Sequence, residues 1–318
     1  MAYQSGDLIL DDHYNTFATG SAGGTATDSA NVNNVWGAGT GDRGYGQTST
    51  ISAVSAGTTI TATQWATLLS RISSMASHQG SSITSITNPS AGNTISAFTA
   101  LSNNITTIHT NRLNNAGFGT TSATNTTGSG AWNAYTVHTI TVTFGNEQQA
   151  RYFFNAGGEL RIDTSISGGT ADGKYNEWVD LANTLAGQVV FGSQGTTKSG
   201  GTGSPSTLAT TIGYYDLTTS YQTIYQQYAN SSPYTSNYIR VQAKYSGSTT
   251  NGAKGNAVIF EVRYQDDAAD QTYDKAVYTP NDVMDGTVTT TTTVAPPSTT
   301  YLSNTWGTPS VSGTNSQS

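Results

Sequence analysis

The residues of this chain best suited to chemistry are a glycine-rich motif, four histidines, a group of aspartates and a group of tyrosines. The motif Gly39-Thr40-Gly41-Asp42-Arg43-Gly44 satisfies GxGxxG, the pattern of a turn that holds the pyrophosphate of a dinucleotide. That turn requires an apolar strand before it and a helix after it. Here Trp36 and small polar residues precede the motif, and no helical spacing follows it. We therefore predict a glycine turn and no nucleotide site.

The four histidines fall on separate predicted elements. They are His13, His78, His109 and His138. None has the HxH or HExxH spacing that brings two imidazoles to one metal ion. We predict no histidine metal site and interpret each ring as a surface residue or as a satisfied core residue.

One loop after a predicted strand collects carboxylates that could bind calcium. Asp266, Asp267, Asp270 and Asp274 lie in it, and crowded hard oxygen ligands suit Ca²⁺. Their spacing departs from the EF-hand pattern, so a solvated acidic turn is the favoured interpretation. These four residues are weak calcium candidates.

Glu159 and Asp163 would share one face of a strand, about 13 Å apart at roughly 3.3 Å per residue. Arg161 lies between them, which favours a set of paired charges over a catalytic acid and base. The chain also contains no GxSxG motif, no P-loop and no cysteine. We predict that the protein is not an enzyme and uses no cofactor.

The 18 tyrosines include a dense group between residues 214 and 238. Tyrosine rings stack on sugars, which makes Tyr214, Tyr215, Tyr221 and Tyr225 candidate glycan contacts. The same rings would suit strands that bury them in a core or in a subunit interface, and this second interpretation is favoured.

The composition and charge of the chain argue against nucleic-acid and membrane partners. Of 318 residues only 35% are hydrophobic and 10% charged, with a net charge of −7. A phosphate backbone needs clustered Lys and Arg, so we expect no nucleic-acid partner. The start MAYQSGDLILDD has no basic region and only a short apolar run, so we expect no signal peptide, no membrane partner and synthesis in a cytoplasm.

The patterns predict an α+β fold in which an N-terminal arm and a helical hairpin precede an antiparallel β-sandwich-like domain. The predicted segments are an attachment arm at 1–60, a helical hairpin at 61–114, a linker at 115–132, an antiparallel β domain at 133–294 and an extended tail at 295–318. The arm would carry two short helices, one started by Asp11 or Asp12 and one around Val32 to Trp36.

The hairpin is predicted from two runs of apolar residues at helical spacing. Thr61 and Gln64 form a capping box before the first helix, at about 63–78, and the second helix spans about 95–113. These apolar faces suit docking between subunits. The oligomer-interface candidates are Trp65, Leu68, Leu69, Ile72, Phe98, Leu101, Ile105 and Ile108.

The second half of the chain alternates with the period of strands. YTVHTITVTF places His138, Ile140 and Val142 on one side, and NAVIFEVRYQDD places Val258 and Phe260 on one side. RYFFNAGGELRI is predicted to form two strands joined by a glycine turn. A short helix is predicted in KYNEWVDLANTLAG, and a strand in VTTTTTV.

Seven segments together resemble one group of proteins. In order they are LILDDHYN, WGAGTGDRGYGQ, ITATQWATLLSRI with its following HQG, RYFFNAGGELRI, GQVVFG, NAVIFEVRYQDD and NDVMDGTVTTTT. With them, from about Asp7 to Thr293, the chain resembles the structural proteins of tailed bacteriophage virions, most of all those of marine phages that infect cyanobacteria.

This resemblance implies a non-enzymatic, oligomeric part of the virion. We expect a tail-associated component, of the tail fibre, baseplate or neck, whose partners are copies of itself and other virion structural proteins. It would be made in the host cytoplasm and released by lysis. The alternatives are a receptor-binding module that recognises a host surface glycan, a head-surface decoration protein, and a depolymerising tailspike, for which neither a β-helix repeat nor an acidic pair is present.

Overall fold

The computed structural model describes residues 11–20, 30–88, 97–171, 173–268 and 283–318. The chain divides into two compact units. Unit 1 comprises residues up to 120 together with 151–158 and 296–306, and unit 2 comprises 121–150, 159–295 and 307–318. Helices come first and two antiparallel sheets follow, which confirms the predicted α+β class.

The described residues of unit 1 contain four complete helices. They are α1 (Asp11–Thr19), α2 (Val32–Trp36), α3 (Ala62–Gln79) and α4 (Phe98–Thr110). The predicted capping box begins α3: the Gln64 amide donates to Oγ1 of Thr61 at 3.2 Å, and the Thr61 amide donates to Oε1 of Gln64 at 2.8 Å. Gly80 ends this helix with φ +68°.

The apolar faces of α3 and α4 form the core of unit 1, so the assignment of their buried residues to an oligomer interface is wrong. Buried candidates are Trp65, Leu68, Ile72, Leu101, Ile105 and Ile108, whereas Leu69 and Phe98 keep partial exposure. The reason is that α2 packs on both α3 and α4 and buries Val32, Val35 and Trp36 with them. The arm therefore covers the hairpin that it precedes.

The segment RYFFNAGGELRI forms the end of a helix and the start of a strand, so the predicted hairpin is wrong. Helix α5 spans Glu147–Asn155 and strand β3 spans Glu159–Ser167. Ala150, Phe153 and Phe154 are all buried and lie at i, i+3 and i+4, which is the helical period. Adjacent aromatic residues fit either period, and this ambiguity caused the error.

Both ends of α5 carry helix signals that the aromatic run obscured. Oδ1 of Asn146 accepts the Gln149 amide at 2.9 Å, which is an N-cap bond. Gly157 then adopts φ +79°, and the amide of Gly158 donates to the Phe153 carbonyl at 2.9 Å, as at many helix ends.

In the part of unit 2 that the structure describes, the strands form two sheets, and every strand pair is antiparallel. The remaining strands are β1 (Ala123–Ser129), β2 (Tyr135–Thr143), β4 (Gln188–Phe191), β5 (Thr196–Ser199), β6 (Thr207–Leu208), β7 (Gln222–Tyr228), β8 (Tyr238–Ser246), β9 (Ala257–Gln265), β10 (Thr287–Ala295) and β11 (Ser310–Gln317). One sheet has the order β1-β10-β3-β4-β5, and the other has the order β11-β2-β9-β8-β7-β6.

The two sheets pack face to face on alternating apolar residues. Ile140 and Val142 of β2 are buried, as are Val258 and Phe260 of β9, which confirms both predicted faces. Phe260 meets Phe191 of the other sheet edge to face, with ring centroids 5.4 Å apart. The predicted short helix is also present, as α6 (Gly173–Asp180) and a π-helical turn (Leu181–Leu185).

Two segments that we predicted to be unstructured form edge strands. The segment predicted as a linker contains β1, and the segment predicted as an extended tail contains β11. Their Thr, Ser and Gly residues offer little apolar surface, yet an edge strand gains its backbone ladder from one partner, and threonine favours extended backbone. The structure corrects both predictions.

Candidate functional site

The glycine-rich motif forms a turn whose carbonyl oxygens converge on Arg151. Gly39 and Gly41 have φ values of +53° and +59°, which glycine adopts without a Cβ clash. Nη1 of Arg151 donates to the carbonyl oxygens of Gly41 at 3.0 Å and Arg43 at 2.6 Å, and Nη2 donates to that of Ala38. A turn lined with acceptors suits a cation, whereas a phosphate site needs backbone N–H donors. The motif is thus a glycine turn, as predicted.

Asn155 extends this contact by one helical turn along α5. Its Nδ2 donates to the carbonyl oxygens of Gly41 at 3.1 Å and Gly44 at 2.9 Å. On the same turn, Arg112 forms an ion pair with Asp42 and donates from Nε to its carbonyl oxygen at 3.1 Å. These side chains satisfy the carbonyls of the turn and hold it in one conformation.

The last turn of α3 joins the same hydrogen-bonded group. Nε2 of His78 lies 3.0 Å from the carbonyl oxygen of Ala156, and Gln79 donates to the Tyr45 hydroxyl at 2.8 Å. Burial lowers the pKa of His78 to about 4 and raises that of Tyr45, so both side chains are neutral at pH 7. We call this group the motif cluster; it comprises Gly39 to Gly44, Tyr45, His78, Gln79, Arg112, Arg151 and Asn155.

The four histidines are placed on different elements. His13 packs edge-on against Phe98 with ring centroids 5.4 Å apart, His109 lies in the last turn of α4, and His138 lies in β2. Among the described residues, no three His, Cys, Asp or Glu side chains come together as a possible metal site.

Five buried side chains form a hydrogen-bonded network inside the sandwich of unit 2. We did not predict this network from the sequence. His138 places Nε2 at 2.8 Å from Oγ of Ser129 and Nδ1 at 2.8 Å from Oγ1 of Thr290. Ser129 also contacts Oγ1 of Thr136 at 2.7 Å, and the Tyr264 hydroxyl contacts Oγ1 of Thr290 at 2.7 Å. Ser129 and Thr290 belong to one sheet and the other three to its partner. We call this the intersheet network.

A serine bonded to a histidine resembles a nucleophile with its base. Here Ser129 and His138 have exposed fractions of 4% and 0%, and the second ring nitrogen faces a threonine hydroxyl. Burial lowers the pKa of His138 to about 4, which makes the imidazole a weak base at pH 7. The arrangement suits a polar link between two sheets, because each buried group satisfies another.

The two calcium candidates that the structure describes, Asp266 and Asp267, are both engaged in other contacts. Asp270 and Asp274 lie outside the described residues. Asp266 is buried in an ion pair with Lys174, and Asp267 accepts a hydrogen bond from a neighbouring glutamine at 2.8 Å. A carboxylate already paired with an ammonium group is a poor ligand for a cation, so Asp266 does not suit the calcium role.

The tyrosines proposed as glycan contacts divide into two pairs. Tyr214 and Tyr225 are fully buried, and the Tyr225 hydroxyl donates to the carbonyl oxygen of Ala186 at 2.8 Å, so both belong to the core. Tyr215 and Tyr221 are half-buried. The favoured interpretation as core residues therefore holds for the first pair, and their role as sugar contacts is wrong.

Other tyrosines line the outer face of the six-stranded sheet. Cross-strand register places Tyr228 opposite Tyr238, Tyr238 opposite Gln265, and Gln265 opposite Tyr135. These four residues form a row that crosses β7, β8, β9 and β2. Tyr228 is 38% exposed, and its ring meets that of Tyr238 with centroids 5.4 Å apart.

A second row lies beside the first, two residues along each strand. Gln226 is opposite Arg240, Arg240 is opposite Arg263, and Arg263 is opposite Val137. We call the two rows together the tyrosine–arginine face. The sequence signal was the alternation of Tyr238 and Arg240 with buried aliphatic residues in NYIRVQAKY, but only the register shows which residues meet.

The fold and these contacts define a two-unit α+β protein with a β-sandwich, two hydrogen-bonded polar clusters and a polar, aromatic sheet face. No model of a known protein family matches the chain, and no curated protein or solved structure is significantly similar to it. Within the described residues, the helices are too short or too polar to cross a lipid bilayer.

Proposed function

We propose that this chain is a non-enzymatic structural protein of a tailed bacteriophage virion. We place it in the tail, as a component of the fibre, baseplate or neck, where it forms a symmetric oligomer and contacts other virion structural proteins. The proposal starts from the seven segments that resemble such proteins.

The observation that carries the proposal is the motif cluster, in which three of those segments bind one another. WGAGTGDRGYGQ supplies the turn, RYFFNAGGELRI supplies Arg151 and Asn155, and HQG supplies His78 and Gln79. A catalytic motif directs its polar groups toward a substrate. Here the polar groups of the motifs are used to hold the backbone of unit 1, which supports a scaffolding role.

The intersheet network supports the same role in unit 2. Its only imidazole, that of His138, is buried and bonded on both nitrogens. A buried network that is fully satisfied favours one packing of the two sheets over others. Such rigidity suits a particle component that must survive outside the cell.

The oligomer would use surfaces other than the α3 and α4 seam, because that seam is buried within the chain. Sedimentation of the purified full chain over a wide concentration range tests this part. We expect species larger than a monomer; a monomer at every concentration would contradict self-assembly in the absence of other virion proteins.

The direct test of the class is mass spectrometry of tailed particles purified by density gradient from a lysate that contains this protein. We expect peptides of the chain in intact particles, at a ratio to the major capsid protein that indicates several copies. A chain found in the lysate and missing from purified particles would overturn the proposal.

A further inference from the structure

We propose that the tyrosine–arginine face binds a carboxylate-bearing polysaccharide. The face lies wholly within unit 2, on the outer side of one sheet. This inference goes beyond the structural role and stands independently of it, because it concerns a surface that is complete in a single chain.

The face concentrates positive charge in a chain whose net charge is −7. Arg240 and Arg263 are directly opposite each other, and Lys244 follows on the same face. The nearby carboxylates are Glu261, in the adjoining row, and Asp267, which accepts a hydrogen bond from Gln265 of the first row at 2.8 Å. Like charges placed directly opposite destabilise a sheet. An anionic ligand seated on the two arginines would offset that repulsion, which gives the face a chemical preference for carboxylates.

Neither arginine forms an ion pair with any residue that the structure describes. Nε of Arg263 donates to Oε1 of Gln265 at 2.7 Å, and its guanidinium lies 4.3 Å from the centre of the Tyr135 ring. Arg240 lies 5.7 Å from the centre of the Tyr238 ring. A planar guanidinium held against an aromatic ring is pre-organised to bind a carboxylate through two hydrogen bonds.

The first row supplies what a sugar chain needs. Its tyrosine rings combine apolar surface with hydroxyl groups at their edges, whereas the Gln265 amide is already engaged, accepting from Nε of Arg263 and donating to Oδ1 of Asp267 at 2.8 Å. Four neighbouring strands span about 14 Å, since strands in a sheet lie roughly 4.8 Å apart. The row is therefore long enough to contact several consecutive rings of a polysaccharide.

Other partners fit the face less well. A nucleic acid needs many Lys and Arg side chains along its backbone, whereas this face offers Arg240, Lys244 and Arg263 in an acidic protein. Protein interfaces are also enriched in Tyr and Arg, so the binding test is read together with the oligomeric state of each variant. A polymer of acidic sugars matches both the charge and the tyrosines.

The test measures binding of the full chain to polygalacturonate, dextran and single-stranded DNA by biolayer interferometry at low salt. We expect binding to polygalacturonate that weakens with added salt, and much weaker binding to neutral dextran and to DNA. Arg240→Gln should reduce the affinity for polygalacturonate by about tenfold or more. Arg161→Gln, on the outer face of the other sheet, is the matched control and should leave the affinity unchanged.

Tyr228→Ala provides a second test at an exposed position, and it should also weaken binding. Thermal unfolding checks that each variant is folded; Arg240→Gln should not lower the transition, because it removes one of two like charges. Undetectable binding to polygalacturonate, equal affinities for the wild type and Arg240→Gln, or equal binding to DNA would each overturn the proposal. So would a change in oligomeric state caused by Arg240→Gln, since the face would then join copies of the chain.

Discussion

Nη1 of Arg151 lies 2.6 Å from the carbonyl oxygen of Arg43, although 108 residues separate them in the chain. The guanidinium is fully buried, and the backbone of the glycine turn supplies several of its acceptors. The turn needs Arg151 to satisfy its carbonyls, and Arg151 needs the turn to replace the water that it loses on burial. This mutual dependence makes the cluster sensitive to small changes.

Arg151→Lys should therefore destabilise the protein although it keeps the charge. One ammonium nitrogen cannot reach carbonyls that the two ends of a guanidinium bind, so we expect a loss of about 3 kcal/mol in unfolding free energy. Arg161→Lys is the control; Arg161 pairs with Glu159 at 2.8 Å near the surface and should change stability by less than about 1 kcal/mol. Urea unfolding followed by circular dichroism measures both, and equal effects would contradict the role of the turn.

Gly313→Ala should destabilise unit 2 through a close approach of β11 to β1. A Cβ at this position would overlap Oγ1 of Thr127 and lie 2.8 Å from Oδ1 of Asn125. We expect a loss of about 1 to 3 kcal/mol, as for other overpacked sites. Gly130→Ala is the matched control, because nothing lies within 4 Å of its Cβ. A thermal midpoint that falls equally in both variants would contradict the contact.

Lowering the pH should reduce the free energy of unfolding through protonation of His138. Burial lowers its pKa from 6.5 to about 4 in the folded state. The unfolded chain thus binds a proton first as the pH falls through 6.5, and up to about 3 kcal/mol of stability is lost on approaching pH 4. The contribution of the neutral His138 side chain to stability is fully present above pH 6.5. His78 has a similar shift and adds to the effect.

The measurement is the unfolding free energy of the wild type and His138→Gln at several pH values between 7.5 and 4. The variant should be less stable at pH 7.5 but should lose less stability on acidification. Because carboxylates titrate in both proteins, the difference between the two curves isolates the histidine. Parallel curves would show that His138 is not held neutral in the folded state.

Lys174→Met should leave the buried carboxylate of Asp266 without its ammonium partner. The side chains of the pair have exposed fractions of only 3% and 4%. Breaking a buried pair from one side costs about 3 to 5 kcal/mol, whereas replacing both members costs far less. We expect the double variant Lys174→Met/Asp266→Leu to be more stable than Lys174→Met alone. Additive losses in a double-mutant cycle would contradict the coupling.

Helix α3 could be predicted from the sequence because two independent signals agreed. Apolar residues recur at helical spacing, and Thr61 with Gln64 forms the cap that precedes them. Helix α5 could not be predicted, because Phe153 and Phe154 are adjacent and fit either period. Its N-cap residue, Asn146, also lies before the segment RYFFNAGGELRI, from which the strands were predicted.

The two polar clusters and the tyrosine–arginine face depend on pairings that no local pattern contains. His138 meets Thr290 across two sheets, and Arg240 meets Arg263 only in one strand register. Edge strand β1 was missed for a related reason, since its threonines pair with those of β10 and need little apolar surface. Local propensity indicated the elements, while the contacts depend on topology.

We propose that this chain is a structural component of a virion tail. Cryo-electron microscopy of intact tailed particles tests it most directly, by fitting units 1 and 2 separately into the density. We predict several symmetry-related copies in the fibre, baseplate or neck. Density on the capsid surface would replace the tail assignment with a head-surface decoration role. Particles that contain no density for either unit would contradict the claim.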